Sequence, residues 1–212
     1  MILTDPSYRG VMVPGTNEST SFFTRDELEA IGFKSLGADV LLSRKTSVYN
    51  PSVISIGDNV RIDDFCVLSG GEMISIGSHV HIGCYSALFG TAGIILEDFV
   101  TISVRVAIFS ASDDASGLSL VNPTIPERFK PTFQRGLVTL KRHSGAGVNS
   151  TILPGVTLEE GAILYSHSRA SRNCRPWYLF SGCPARELRP RSMAVLELER
   201  QFLDEYHARR RA

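Results

Sequence analysis

Two histidines stand one residue apart in the stretch IGSHVHIG, residues 76–83, with Cys84 directly after it. Such residues can hold zinc, at about 2.0 to 2.3 Å, when they converge on one point. A single imidazole, with an ordinary pKa near 6.5, can instead take a proton from a hydroxyl at neutral pH. Other groups able to do chemistry lie further along: the acids Asp113 and Asp114 in SASDDASG, and the arginines Arg172, Arg175, Arg186 and Arg189 near the C-terminal end. A carboxylate can orient a catalytic base or only cap a turn. Arginines present the paired donors that phosphate oxygens accept. Which of these groups work together depends on the elements that hold them.

Those elements follow from a repeat. Aliphatic residues lead successive hexads at Leu36, Leu42 and Val48; Ile56, Ile62 and Leu68; Ile76, Ile82 and Leu88; and Leu96, Ile102 and Ile108, each set recurring at 20 residues. The pattern breaks after Ile108 and resumes at Leu140, Ala146 and Ile152, then Leu158, Leu164 and Ala170. Hexads of this kind exclude a 3.6-residue helical period and predict a triangular prism of stacked short parallel strands, each coil burying its leaders against the next. Small fifth-place residues such as Cys66 and Ser150 suit tight corners. The fold class expected is therefore mainly β, a hexapeptide β-helix over 35–189 with an inserted loop over 110–138. An N-terminal segment, 1–34, contains a short helix in TRDELEAIGF, where Thr24 and Glu27 form a capping-box pattern before Gly32. A C-terminal helix over 190–212 carries the apolar stripe Val195, Leu198, Phe202 and Tyr206.

Composition narrows the function. The chain has 212 residues, with 22 Lys plus Arg against 22 Asp plus Glu, so no global field draws nucleic acid or an anionic membrane. It has no apolar run long enough to span a bilayer, no secretory pattern at its start, and four cysteines without CxxC spacing. A cytoplasmic location is expected.

From residue 36 to 170 the hexads, together with GVNSTILPGVTLEEGA (147–162) and PWYLFSGCPARELRPRS (176–192), resemble the hexapeptide-repeat acyltransferases. The nearest likeness is to sugar O-acetyltransferases of the galactoside, maltose and surface-polysaccharide types. The resemblance implies a left-handed parallel β-helix, a homotrimer with its active site in the groove between prisms, and acetyl-CoA as co-substrate. The pantetheine arm would run past Val148 and Ser166, and Ser171, Arg172, Arg186 and Arg189 would meet the rest of the coenzyme. The family's general-base histidine would fall at Asp113, a departure from the pattern, since a carboxylate with an ordinary pKa near 3.9 is a poor base unless desolvated.

Register separates the histidines. His79, His143 and His167 are fourth in their hexads and belong to corners, whereas His81, sixth, stands outward on a flat face. Cys84 falls at the next corner, so His79, His81 and Cys84 do not converge and no metal is expected. The resulting expectation is acetyl-CoA-dependent O-acetylation of a hydroxyl on a sugar or sugar precursor in surface-polysaccharide synthesis. His81 would be the base, and Asp113 would either orient it or bind the acceptor. The alternatives are N-acetylation of an amino sugar or antibiotic, and a non-catalytic trimeric scaffold motivated by the missing histidine. A carbonic anhydrase of the same fold would need three convergent histidines, which the register does not supply.

Overall fold

A computed structural model describes residues 21–211; the first 20 residues of the N-terminal segment lie outside them. The hexads form a parallel β-helix with three faces. Face one stacks Ser35–Leu36, Ile54–Ile56, Ile74–Ile76, Ile94–Leu96, Val138–Leu140 and Thr157–Leu158. Face two stacks Leu41–Leu42, Arg61–Ile62, His81–Ile82, Thr101–Ile102, Gly145–Ala146, Ile163–Leu164 and Tyr178–Ser181, and ends on Arg186–Pro190, which runs antiparallel. Face three runs from Ser47–Tyr49 through Val67–Gly70, Ala87–Gly90, Ala107–Phe109 and Thr151–Ile152 to Arg169–Ala170.

Leaders sit on leaders. Ile62 pairs with Ile82 and Ile82 with Ile102, while Leu68, Leu88, Ile108 and Ile152 continue one another on face three. These side chains are fully buried, so each coil owes its core to its neighbours above and below. The break in the repeat therefore costs no core: face one passes from Ile94–Leu96 directly to Val138–Leu140, and the intervening chain is extruded.

The fourth residue of each hexad makes the corner, in a left-handed turn with φ between 54° and 61° at Asn59, His79, Phe99, Phe65, Tyr85, Arg105, Asn149 and His167. Asparagine adopts this conformation readily and bulky residues do not. The first corner joins faces one and two and carries Asn59, His79, Phe99 and His143. The second joins faces two and three and carries Phe65, Tyr85, Arg105, Asn149 and His167.

The inserted loop leaves face three after Phe109 and is pinned at its neck by a short antiparallel pair, Ala111–Ser112 with Gln134–Arg135. Helix α1, Arg25–Ile31, has the expected reciprocal cap between Thr24 and Glu27 and ends at Gly32, φ 82°. Helix α2, Val195–Arg211, lies along the first corner. There Phe202 and Tyr206 meet the ring of His79 edge-on, each at 5.1 Å, and the Asn59 amide donates to Tyr206 Oη at 2.6 Å. The helix starts at Val195 rather than at 190, because the Gly182–Ala185 turn sends residues 186–190 back along the edge of face two as a strand. Among the described residues, no helix is long and apolar enough to cross a membrane.

Candidate active site

His81 occupies face two between Arg61 below and Thr101 above, its leader neighbour Ile82 turned inward. Its Nε2 lies 2.8 Å from Asp63 Oδ2, and Arg61 Nε donates to Asp63 Oδ1 at 2.7 Å. Burial alone would raise the Asp63 carboxyl, but the hydrogen bonds from His81 and Arg61 outweigh it and hold the group below the ordinary carboxylate range. Asp63 follows Ile62 on the side of the second corner, so it draws the imidazole toward that edge. The six-residue register alone does not single out this partner. The signal for it was present: Arg61 and Asp63 flank one leader and share its outward side, one coil below His81.

His79 has a different setting. It stacks on Phe99 at 4.8 Å, beneath Phe202 and Tyr206, and burial lowers its pKa. His143 continues the column and binds Glu199 of α2 at 2.6 Å. Both serve to seat the helix. Among the described residues no three His, Cys, Asp or Glu side chains are gathered as a metal would need.

Asp113 stands at the base of the inserted loop. Lys130 Nζ reaches its Oδ1 at 2.6 Å and the Asn122 N–H donates to Oδ2 at 2.9 Å; the hydrogen bond from Lys130, then that from Asn122, keep it ionised below the usual range. Asp114 accepts from Ser116 and, at 2.8 Å, from Thr132, and so braces the loop itself. His81 and Asp113 thus have separate partners, and no contact joins them within one chain.

The residues expected at the coenzyme lie in the closing coils and on the strand that follows them. Half-buried Val148 and exposed Ser166 line the second corner in the closing coils, each two places after its leader. Tyr165 and His167 beside them are exposed, so the bulky residues of LYSHSR leave that corner open. Ser171 and Arg172 are exposed beyond the last coil, and Arg186 and Arg189 are exposed on the antiparallel strand. Arg175, by contrast, is held by Glu187 at 2.8 Å and lies 3.5 Å over the Tyr178 ring. Exposed guanidinium groups such as those of Arg172, Arg186 and Arg189 present the paired donors that phosphate oxygens accept.

A β-helix of hexads with an extruded loop defines the architecture of the hexapeptide acyltransferases, and comparison with known proteins specifies the branch. No family model matches the chain. The dTDP-4-amino-4,6-dideoxy-D-glucose acyltransferase of Escherichia coli is 40% identical over 177 residues, 83% of this chain and 92% of its own. AntD, an N-acyltransferase from Bacillus cereus in complex with dTDP and 3-hydroxybutyryl-CoA, is 45% identical, with a TM-score of 0.86 over 88% of this chain and 98% of its own. The chain belongs to the hexapeptide-repeat sugar acyltransferases. It is an acyltransferase, and its co-substrate is an acyl-CoA. Other AntD structures, one holding dTDP-4-amino-4,6-dideoxyglucose and coenzyme A, carry replacements at a serine or at an aspartate ten positions further along.

These relatives overturn the expected O-acetylation of a sugar hydroxyl: AntD is an N-acyltransferase, and the E. coli enzyme is an acyltransferase of an amino sugar nucleotide. A maltose O-acetyltransferase from Clostridium difficile is only 14% identical, with a TM-score of 0.54 over 85% of this chain and 79% of its own, and shares the fold alone. The physical reason for the error is that hexads encode the prism and not the acceptor. A hydroxyl needs a strong base to become a nucleophile, whereas an unprotonated amine already carries its lone pair.

Proposed function

We propose that this chain transfers an acyl group from acyl-CoA to the 4-amino group of a dTDP-linked 4-amino-4,6-dideoxyhexose, in a groove between subunits of a homotrimer. The observation that carries this reading is its 40% identity to the E. coli acyltransferase across nearly the whole of that protein. Position 113 supports it independently, because a lysine-paired carboxylate suits an amine acceptor better than an alcohol. The Ser–Asp spacing adds to it: Ser103 and Asp113 are the only serine and aspartate ten residues apart in this order in the sequence, the separation of the two residues replaced in AntD.

In this reading, Ser103 at the second corner of one subunit faces Asp113 at the loop base of the next. The amine nitrogen attacks the thioester carbon. As the C–N bond forms, positive charge builds on nitrogen, and the Asp113 carboxylate, aimed at it, stabilises that charge. The C–S bond breaks with its electron pair going to sulfur, and CoA departs as the thiolate. The proton lost from nitrogen passes to His81, held by Asp63, and on to solvent. Val148 and Ser166 guide the pantetheine arm, while Ser171, Arg172, Arg186 and Arg189 receive the remainder of CoA, its phosphates on the guanidinium groups. Holding both substrates in one groove removes much of the entropic barrier.

The test is thiol release from acetyl-CoA and 3-hydroxybutyryl-CoA with dTDP-4-amino-4,6-dideoxyglucose as acceptor, against maltose as the hydroxyl control. Turnover is expected with the amino sugar alone. Asp113→Asn and His81→Ala are each expected to lower kcat about 100-fold. Turnover of maltose but not of the amino sugar would refute the reading.

A further inference from the structure

The first corner departs from its own pattern beneath α2. Its fifth places are Val40, Val60, Val80 and Val100, all buried, and then Ser144. Fifth-place serines elsewhere bond the backbone of the next coil. Ser86 Oγ donates to the Ser103 carbonyl at 2.8 Å and accepts from the Val106 N–H, and Ser150 Oγ donates to the Tyr165 carbonyl at 2.9 Å and accepts from the Ser168 N–H. Ser144 is just as buried, yet its Oγ has no partner. A hydroxyl left in that state is unfavourable at a place where the fold otherwise uses valine.

Ser144 lines a cavity of about 390 Å³ between face two and α2. Apolar groups wall it, from Thr101 and Ile163 on face two and from Val195, Leu198 and Phe202 on α2. Between Thr101 and Ile163 stands Gly145, which has no side chain to fill the space. Arg191 also borders the cavity. Its Nη1 donates to the carbonyls of His143 at 2.7 Å and Gly161 at 2.9 Å, and its guanidinium lies 5.7 Å from the Trp177 ring centre. The remaining N–H groups of Arg191 meet no acceptor among the described residues, and no carboxylate there pairs with it. Burial lowers its pKa, so the fold holds this charge without a counterion. Glu199, the acid at the cavity wall, is already bound by Arg142 and His143.

We propose that this cavity is a binding site for a small monocarboxylate with an apolar body. Its carboxylate accepts from the unused N–H groups of Arg191 and from the Ser144 hydroxyl, and its body packs on Ile163, Val195 and Leu198. Apolar walls with a few polar donors are the usual makeup of a small-molecule site. One guanidinium matches one carboxylate; a phosphate would bring excess negative charge beside Glu199, and an amine would face Arg191 unpaired. The occupant would tie α2 to face two, since each supplies one wall. These residues carry no role in the proposed acyl transfer, so the two readings fail separately.

Trp177 is the one tryptophan of the chain, and its ring centre lies 6.2 Å from that of His143, so its fluorescence reports on the cavity. Hexanoate, with hexanol as the uncharged control, is titrated into the full chain while Trp177 emission, melting temperature and hydrogen exchange in α2 are followed. Hexanoate is expected to shift the emission, raise the melting temperature and slow exchange in α2, with hexanol binding about tenfold more weakly or worse. Arg191→Gln should weaken hexanoate about tenfold, and Ser144→Ala about threefold. Ser144→Ala should itself melt no lower than wild type, because it removes a hydroxyl that bonds nothing. It keeps the test valid if Arg191→Gln, which loses two carbonyl contacts, fails to fold. No response to millimolar hexanoate would overturn the proposal, as would equal binding of hexanol. Hexanoate affinity that neither variant alters would also overturn it, by placing the carboxylate on other arginines. So would a Trp177 emission that shifts on dilution together with a fall in sedimenting mass, which would put a second copy of the chain in the cavity.

Discussion

At the residue scale, a period of six decides what each side chain can reach. His79 and His81 are two residues apart, yet one is roofed by α2 and the other is bound to Asp63 on an open face. Register separates them from sequence alone, since sixth places point outward and fourth places turn the corner. Asp63 lies 18 residues before His81, and only the stacking of one coil on the next brings the two together. Its carboxyl is held below the ordinary 3.8 by folding, so its ion pair stabilises the protein above that pH and ceases to do so as pH falls through the lowered value. The melting temperature of Asp63→Asn should therefore lie below that of wild type at pH 7, with the gap closing below pH 3.8. A gap that stayed constant down to pH 2 would mean that Asp63 acts through packing instead.

At the element scale, α2 shows how a surface helix is tied to a solenoid that offers no flat apolar face. Glu199 accepts from His143 at 2.6 Å and from Arg142, while Arg142 also reaches Asp98 at 3.0 Å. The apolar stripe was legible, but its partners were not: Phe202 lies among the corner rings while Leu198 is left 63% exposed. Glu199→Gln keeps the shape and removes the charge, and should cost about 1.5 to 3 kcal/mol. The loss should appear as earlier hydrogen exchange and proteolysis in α2 with the β-helix amides unaffected. Simultaneous loss of protection in both would show that the helix is integral to the prism.

At the scale of the whole molecule, stability is shared between adjacent coils, so a hole in the middle should spread. Ile102 lies between Ile82 and Ala146, fully buried. Ile102→Ala should cost about 2 to 5 kcal/mol, measured by urea denaturation, and should lower protection in the coils on either side of the cavity. Leu42, equally buried but in the first coil, has one coil neighbour instead of two. Leu42→Ala should loosen the N-terminal end while sparing the coils beyond the loop. The 110–138 insertion interrupts the chain without interrupting the core, which is how Asp113 can be placed on a loop without loss of the scaffold beneath it.

By itself the sequence determined the prism, the loop and both helices, because a six-residue period leaves each leader one direction in which to be buried. It also recorded Asp113 at the place where the resemblance to sugar O-acetyltransferases puts a histidine. Tertiary structure alone decided which groups meet. His81 found Asp63, Asp113 found Lys130, and Phe65 stacked on Tyr85 beneath Arg105, because stacking coils brings together residues about 20 positions apart and an extruded loop folds back upon its own base.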